Sequence, residues 1–209
     1  MISHQDPFAA RDGDPFDPFN WSSPMKTIGL AGIAALFIAL ESCAGTQPQE
    51  ALTTASSVDL ARYAGTWYEI ARLPMWFQRY CVDSKAIYTP RPDGTIGVHN
   101  ECVTISGGVA QADGVATVVD TTTNARLTVV FDNWFSRMFA SSREGNYLIL
   151  DLDPEYRTSL VGTPDRRLLW ILSRSPHLDD ATYQRLVDRG RTLGYSVWDL
   201  IRAKRPPSN

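Results

Sequence analysis

From Val58 to Arg202 the chain consists of short runs rich in β-branched and aromatic residues, each bounded by turn residues. Runs of this length and texture are strands. The pattern predicts eight, at 66–72, 82–90, 95–103, 109–119, 125–133, 146–152, 157–163 and 167–174. Arg91-Pro92-Asp93-Gly94 and Gly162-Thr163-Pro164-Asp165 are turn sequences. Proline presets φ there, and Gly or Asp tolerates left-handed backbone. Ala125, Leu127, Val129 and Phe131 form one apolar row, with Thr128 and Val130 on the other face. Leu148, Ile149 and Leu150 are apolar on both faces. Strands apolar inside, and in places outside, suit a closed sheet partly covered by another element. Eight strands with short connections therefore predict an all-β, antiparallel up-and-down barrel, which leaves no exposed edge. A barrel of this size has room for one small ligand. A two-sheet sandwich is the alternative architecture.

One helix follows the strands. Asp179 is its N-cap, and Tyr183, Leu186, Val187 and Leu193 fall on one face. Gln184, Arg185, Asp188 and Arg189 form the wet face, and Gly194 fits the left-handed position after the last turn. The helix is expected against the outside of the barrel. Ser196 to Arg202 reads as an extended piece that can pair with the first strand, and 203–209 as a loose tail.

The first part of the chain has a different texture. Lys26 precedes an uncharged run, Ile28 to Leu40, that is too short to span a bilayer. It has the form of a secretory signal, assigned to 25–42. Asp6-Pro7-Phe8, Asp14-Pro15-Phe16 and Asp17-Pro18-Phe19 lie upstream of it. Residues 1–24 read as an upstream extension, with an adaptor-binding peptide as the alternative. Residues 43–57, small and polar, read as a flexible tether, and 58–202 as the single domain.

Composition narrows the function. The 209 residues carry a net charge of −3, and those after Ser42 are formally neutral, so no basic surface awaits a nucleic acid. His4, His99 and His177 are far apart, without metal-ligand spacing. No pairing of His with Ser or Cys forms a catalytic motif, and Gly107-Gly108 is a turn rather than a phosphate cradle. Neither a cofactor nor a catalytic residue is expected. Three cysteines are too few for a disulfide scaffold.

Several motifs carry a family resemblance. Leu40-Glu41-Ser42-Cys43 resembles a bacterial lipobox, with Glu41 departing from the small residue usual there. This implies lipidation of Cys43, with ordinary cleavage after Ala44 as the alternative. Ala44 after the cysteine resembles the outer-membrane sorting signal of enterobacteria. Gly65-Thr66-Trp67 resembles the Gly-x-Trp signature of the lipocalins. Leu169-Trp170-Ile171-Leu172-Ser173-Arg174 resembles that family's last barrel strand, whose Arg packs on the signature Trp. Leu152-Asp153-Pro154-Glu155-Tyr156 stands in the place of its middle motif, where Leu152 and Pro154 depart. Together with Asn133-Trp134-Phe135 these are similar to the bacterial outer-membrane lipoprotein and apolipoprotein D branch.

The resemblance implies Gly65, Trp67 and Arg174 as structural signature residues, with Trp67 plugging one barrel end. It implies a binding protein for a fatty acid or lysophospholipid, held to the membrane by a lipid anchor. Period two turns Trp170 inward with Leu168 and Leu172, and this branch carries its pocket Trp at the position matching Trp170. Tyr88, Phe131 and Tyr147 are the further lumen candidates. The lumen is expected to be aliphatic and aromatic, with polar selection at the mouth alone. Trp134, Phe135, Met138 and Phe139 form an apolar loop that rims the mouth, touches membrane, joins a second subunit in a homodimer, or folds onto the barrel. In a hairpin centred on Pro92-Asp93, opposed residues have numbers summing to about 185, which brings Cys81 near Cys102 given one bulge. Export places them in an oxidising compartment, and a disulfide is expected. The alternatives are a lipocalin-fold enzyme, needing a free lumenal thiol or acid, and an envelope lipoprotein that docks to a partner.

Overall fold

The computed structural model describes residues 51–132 and 144–205. The segment expected to be a signal, Cys43 and the loop bearing Trp134, Phe135, Met138 and Phe139 lie outside the described residues. The chain opens with a one-turn helix α1 (Leu60–Tyr63) and eight strands: β1 (Gly65–Arg72), β2 (Cys81–Pro90), β3 (Ile96–Thr104), β4 (Val109–Val118), β5 (Arg126–Phe131), β6 (Tyr147–Leu152), β7 (Thr158–Gly162) and β8 (Leu169–Ser173). Helix α2 (Asp180–Thr192) and a two-residue strand β9 (Ile201–Arg202) follow. All eight predicted strands exist, with ends displaced by one or two residues.

Every neighbouring pair is antiparallel, in the order β2-β3-β4-β5-β6-β7-β8-β1. β1 also pairs with β2, through Gly65↔Tyr88 to Tyr68↔Lys85, so the sheet closes into a barrel and the sandwich alternative falls. The Pro92-Asp93 hairpin has Gly94 at φ 81°, the left-handed value its turn requires.

Two apolar clusters divide the buried residues by strand face. The inner one holds Trp67, Tyr88, Val98, Ala116, Ala125, Leu127, Val129 and Ile149. The outer one packs Leu148, Leu150, Leu160, Leu169 and Ile171 against Leu186 and Val187 of α2. This explains why β6 is apolar on both faces. α2 is capped as its sequence requires: Asp179 accepts from the Thr182 amide at 2.8 Å, and Gly194 takes φ 85°.

Two segments differ from expectation. Part of the tether is packed: Leu52 is buried, its carbonyl accepts from Arg126 at 2.7 Å, and Ala55 N–H donates to Ile149 O at 2.8 Å. A single apolar side chain in a polar run was enough to dock it. The tail is bound at its start. Ala203 N–H donates to Ile70 O at 2.9 Å and Lys204 N–H to Val82 O at 2.8 Å. Arg205 donates to Ser84 O at 2.8 Å, pairs with Asp83 and lies over the Tyr68 ring. The expected extended piece from Ser196 is a 3-10 turn over Val197–Asp199, and only Ile201 and Arg202 pair with β1.

Candidate functional site

The barrel has two unlike ends. At one end α1 crosses the opening. Trp67 is fully buried there, and its indole N–H donates to Tyr63 O at 2.8 Å. The Arg174 guanidinium stacks 4.0 Å from the Trp67 ring. Its protons go to backbone carbonyls: Thr66 at 2.8 Å, Arg62 at 2.8 Å, Tyr63 at 3.0 Å, Ala64 at 2.8 Å and Tyr156 at 3.3 Å. Burial lowers the Arg174 pKa, and nearby Tyr63 and Tyr88 offset this. Gly65, at φ 93°, brings the chain past Arg174 in a conformation that L side chains rarely adopt. The middle motif serves the same end. Asp153 accepts from the amides of Arg157 and Thr158, and the Tyr156 hydroxyl accepts from Asp59 N–H at 2.8 Å.

At the other end the β1–β2 connection and the β3–β4 turn meet through an Ile105 N–H to Tyr80 O bond of 2.8 Å. Trp76, Phe77, Tyr80, Ile105 and Val109 stand exposed on these segments, Ile105 at 76%. Cys81 and Cys102 form a disulfide just inside this rim, with Cα atoms 5.5 Å apart. The hairpin register pairs Ser84, not Cys81, with Cys102; a bulge between Cys81 and Asp83 brings Cys81 diagonally alongside.

Between the ends, Trp170, Tyr88, Phe131 and Tyr147 all belong to the inner cluster. Tyr88 is buried, whereas Trp170, Phe131 and Tyr147 are half-buried. Sequence reasoning missed two polar groups among them. Near the rim, Glu69 and Arg72 form a buried ion pair at 3.1 Å. Gln78 donates to Glu69 at 3.1 Å and accepts from the Trp170 indole at 3.3 Å, and Arg72 donates to the carbonyls of Gln78 and Cys81. Burial pushes the Glu69 carboxyl up, against Arg72 and Gln78, which pull it down. Nearer the closed end, the hydroxyls of Tyr63, Tyr88 and Tyr147 converge, at 2.9 Å for Tyr63–Tyr147 and 2.9 Å for Tyr88–Tyr147. Burial pushes Tyr63 up to about 12 and raises Tyr88 and Tyr147 as well. The expectation of an apolar lumen with polarity at the mouth alone is therefore corrected. Period two from Trp67 does point Glu69 inward; the bulge in β1 that turns Arg72 in beside it has no sequence signature.

His99 faces outward, bonded to Asp113 at 2.6 Å. That carboxylate raises the imidazole pKa, chiefly by the hydrogen bond. Among the described residues no His, Cys, Asp and Glu group could hold a metal, and no helix is long and apolar enough to cross a membrane.

A closed eight-stranded barrel, plugged at one end and rimmed by apolar side chains at the other, with a packing helix outside, defines a calyx. Residues 58–205 match the family model of the lipocalin-like domain, and the chain belongs to the lipocalins. It is 34% identical over 185 residues to the outer membrane lipoprotein Blc of Escherichia coli K12, covering 88% of this chain and all 100% of that protein. It is 36% identical over 159 residues to temperature-induced lipocalin-1 of Arabidopsis thaliana, covering 73% and 83% respectively. Against bovine apolipoprotein D (Bos taurus) the figure is 30% over 136 residues, covering 62% and 68%. Among solved structures, the cockroach allergen Per a 4 superposes with TM-score 0.56 at 22% identity, covering 75% of this chain and 94% of that one. Insecticyanin of the tobacco hornworm Manduca sexta gives 0.55 at 17%, covering 75% and 86%. These two likenesses speak for the fold alone.

Proposed function

We propose that this lipocalin binds one fatty acid or lysophospholipid in its barrel and acts in lipid storage, transport or envelope maintenance. The observation that carries the reading is the inner row of half-buried aromatics, Trp170, Phe131 and Tyr147, in a barrel with an apolar rim among the described residues at the end opposite Trp67. Half-buried aromatic surface inside a barrel is what an acyl chain covers. In a delipidated sample, long-chain fatty acid or lysophospholipid should change the fluorescence of Trp170. Trp170→Ala should weaken binding while the fold survives. Tight binding of short polar solutes with no response to acyl chains would reject the reading.

The enzymatic alternative needs a free lumenal thiol or acid. Cys81 and Cys102 are joined, which weighs against the thiol form. The envelope location and the lipid anchor at Cys43 belong to the same proposal. The relatives named outer membrane lipoproteins support them, and Glu41 in the lipobox weighs the other way. Several acyl chains anchor firmly where one is marginal. Wild-type protein should therefore fractionate with membranes and Cys43→Ala should not; soluble wild-type protein beginning at Gly45 would reject the anchor. A homodimer is part of the same reading, checked by the mass of the delipidated protein in solution.

A further inference from the structure

The closed half of the lumen carries hydrogen-bonding capacity that a plain acyl tail leaves unused. Tyr63, Tyr88, Tyr147 and Ser159 come from α1, β2, β6 and β7 and meet inside the barrel. Their hydroxyls form a chain: Tyr88–Tyr147 at 2.9 Å, Tyr147–Tyr63 at 2.9 Å and Tyr63–Ser159 at 3.2 Å. Each hydroxyl donates one proton and accepts at two lone pairs. Four hydroxyls joined by three bonds leave one proton without an acceptor in the chain.

Of the four residues Tyr147 is the least buried. Tyr63 and Tyr88 are buried at 4% and 7%, and Ser159 at 0%, whereas Tyr147 is half-buried. The arrangement that leaves no donor stranded in the wall runs Ser159 to Tyr63 to Tyr147, with Tyr88 also donating to Tyr147. Both lone pairs of Tyr147 are then filled and its own O–H is free for a ligand. The same surroundings select what it meets. The Arg174 guanidinium is given to backbone carbonyls behind Trp67, and the terminal nitrogens of Arg72, nearer the rim, go to Glu69 and the carbonyls of Gln78 and Cys81, its Nε being without a partner. A carboxylate here would be a buried charge without a counter-ion, which is strongly unfavourable. A neutral oxygen meets no such penalty.

We propose that Tyr147 is a specificity residue at the inner end of the lumen, donating a hydrogen bond to a neutral hydroxyl or carbonyl oxygen carried on the far end of a long-chain lipid. The proposal rests on the acyl-binding reading and narrows its ligand class to chains oxygenated at the end remote from the polar head.

The test compares palmitate with its ω-hydroxy derivative, titrated into delipidated full-length protein and read by tryptophan fluorescence. An unpaired hydroxyl buried in an apolar lumen weakens binding by about tenfold or more. The proposal expects ω-hydroxypalmitate to bind wild type at least as tightly as palmitate. Tyr63→Phe/Tyr88→Phe/Tyr147→Phe, which removes all three phenol donors, should weaken the hydroxy acid about tenfold relative to palmitate, while palmitate binding shows that the variant is folded. Ser159→Ala, which leaves the Tyr147 donor in place, should keep the ratio within about threefold. A hydroxy acid about tenfold weaker than palmitate in wild type overturns the proposal and leaves the acyl reading standing; this comparison needs no variant. A ratio that the triple variant does not change also overturns it. Failure of both acids to bind wild type overturns the acyl reading and the proposal together.

Discussion

Trp67 and Arg174 are separated by most of the barrel in sequence and stack 4.0 Å apart in space. Each alone is an ordinary core or surface residue; their places on the first and last strands made the contact legible. Removing the Trp67 ring by Trp67→Ala should cost about 3–5 kcal/mol. Arg174→Ala should cost less, because it leaves the larger, fully buried ring in place. A double-mutant cycle measured by chemical denaturation should give a coupling of about 0.5–2 kcal/mol; strict additivity would mean the side chains do not interact. The buried tyrosines give a second expectation. In the unfolded chain a phenol loses its proton near pH ~10. Tyr63 holds its proton up to about 12, and Tyr88 and Tyr147 are raised as well. Below the unfolded value both states are protonated and pH has no effect through these groups. Above it the unfolded state releases protons first, so stability falls as pH rises from there through the folded values. Phenolate absorbance should show a class of tyrosines silent until the protein unfolds. Ionisation of all tyrosines near the free value in folded protein would contradict the buried cluster. That cluster was only half legible. Tyr88 and Tyr147 were named as lumen candidates, but Tyr63 enters from α1, a single turn too short to leave a periodic trace.

Among the elements, β1 decides most of the site. It pairs with β2 over Gly65–Tyr68 and then leaves it, a bulge turning both Ile70 and Ala71 toward α2 and Arg72 inward. The divergence is bridged inside by Glu69, Arg72 and Gln78, and outside by the bound tail. Strand positions were legible because alternation and turn chemistry are local. The β1 bulge and the tail were not, because both answer to what lies across the barrel. Arg205 shows this: a basic residue before two prolines reads as solvent-facing, yet it is seated on Asp83 and Ser84. Arg205→Ala should destabilise by about 1.5–3 kcal/mol, the range for hydrogen bonds to charged groups, seen as a lower denaturation midpoint. At the β7–β8 end, a Cβ on Gly162 would run into the Tyr195 hydroxyl, which is buried and bonded to Thr163 O at 2.9 Å. Gly162→Ala should cost about 1–3 kcal/mol by overpacking. A variant as stable as wild type would mean that Tyr195 moves freely.

For the molecule as a whole, the central claim is that the barrel is a calyx for one acyl chain. In this reading a chain enters at the end rimmed by apolar side chains, opposite the Trp67 plug. A chain that enters there buries methylene groups one after another until it reaches the hydroxyls at the base. The measurement that tests this most directly is the dissociation constant of delipidated protein for a homologous series of saturated fatty acids. Each added methylene should improve binding by about 0.8 kcal/mol, about fourfold in Kd. The gain should stop at one length, when the tail meets the base of the lumen, and longer chains should bind more weakly. A Kd that does not depend on chain length, or that improves without limit as chains lengthen, would contradict an enclosed lumen as the binding site.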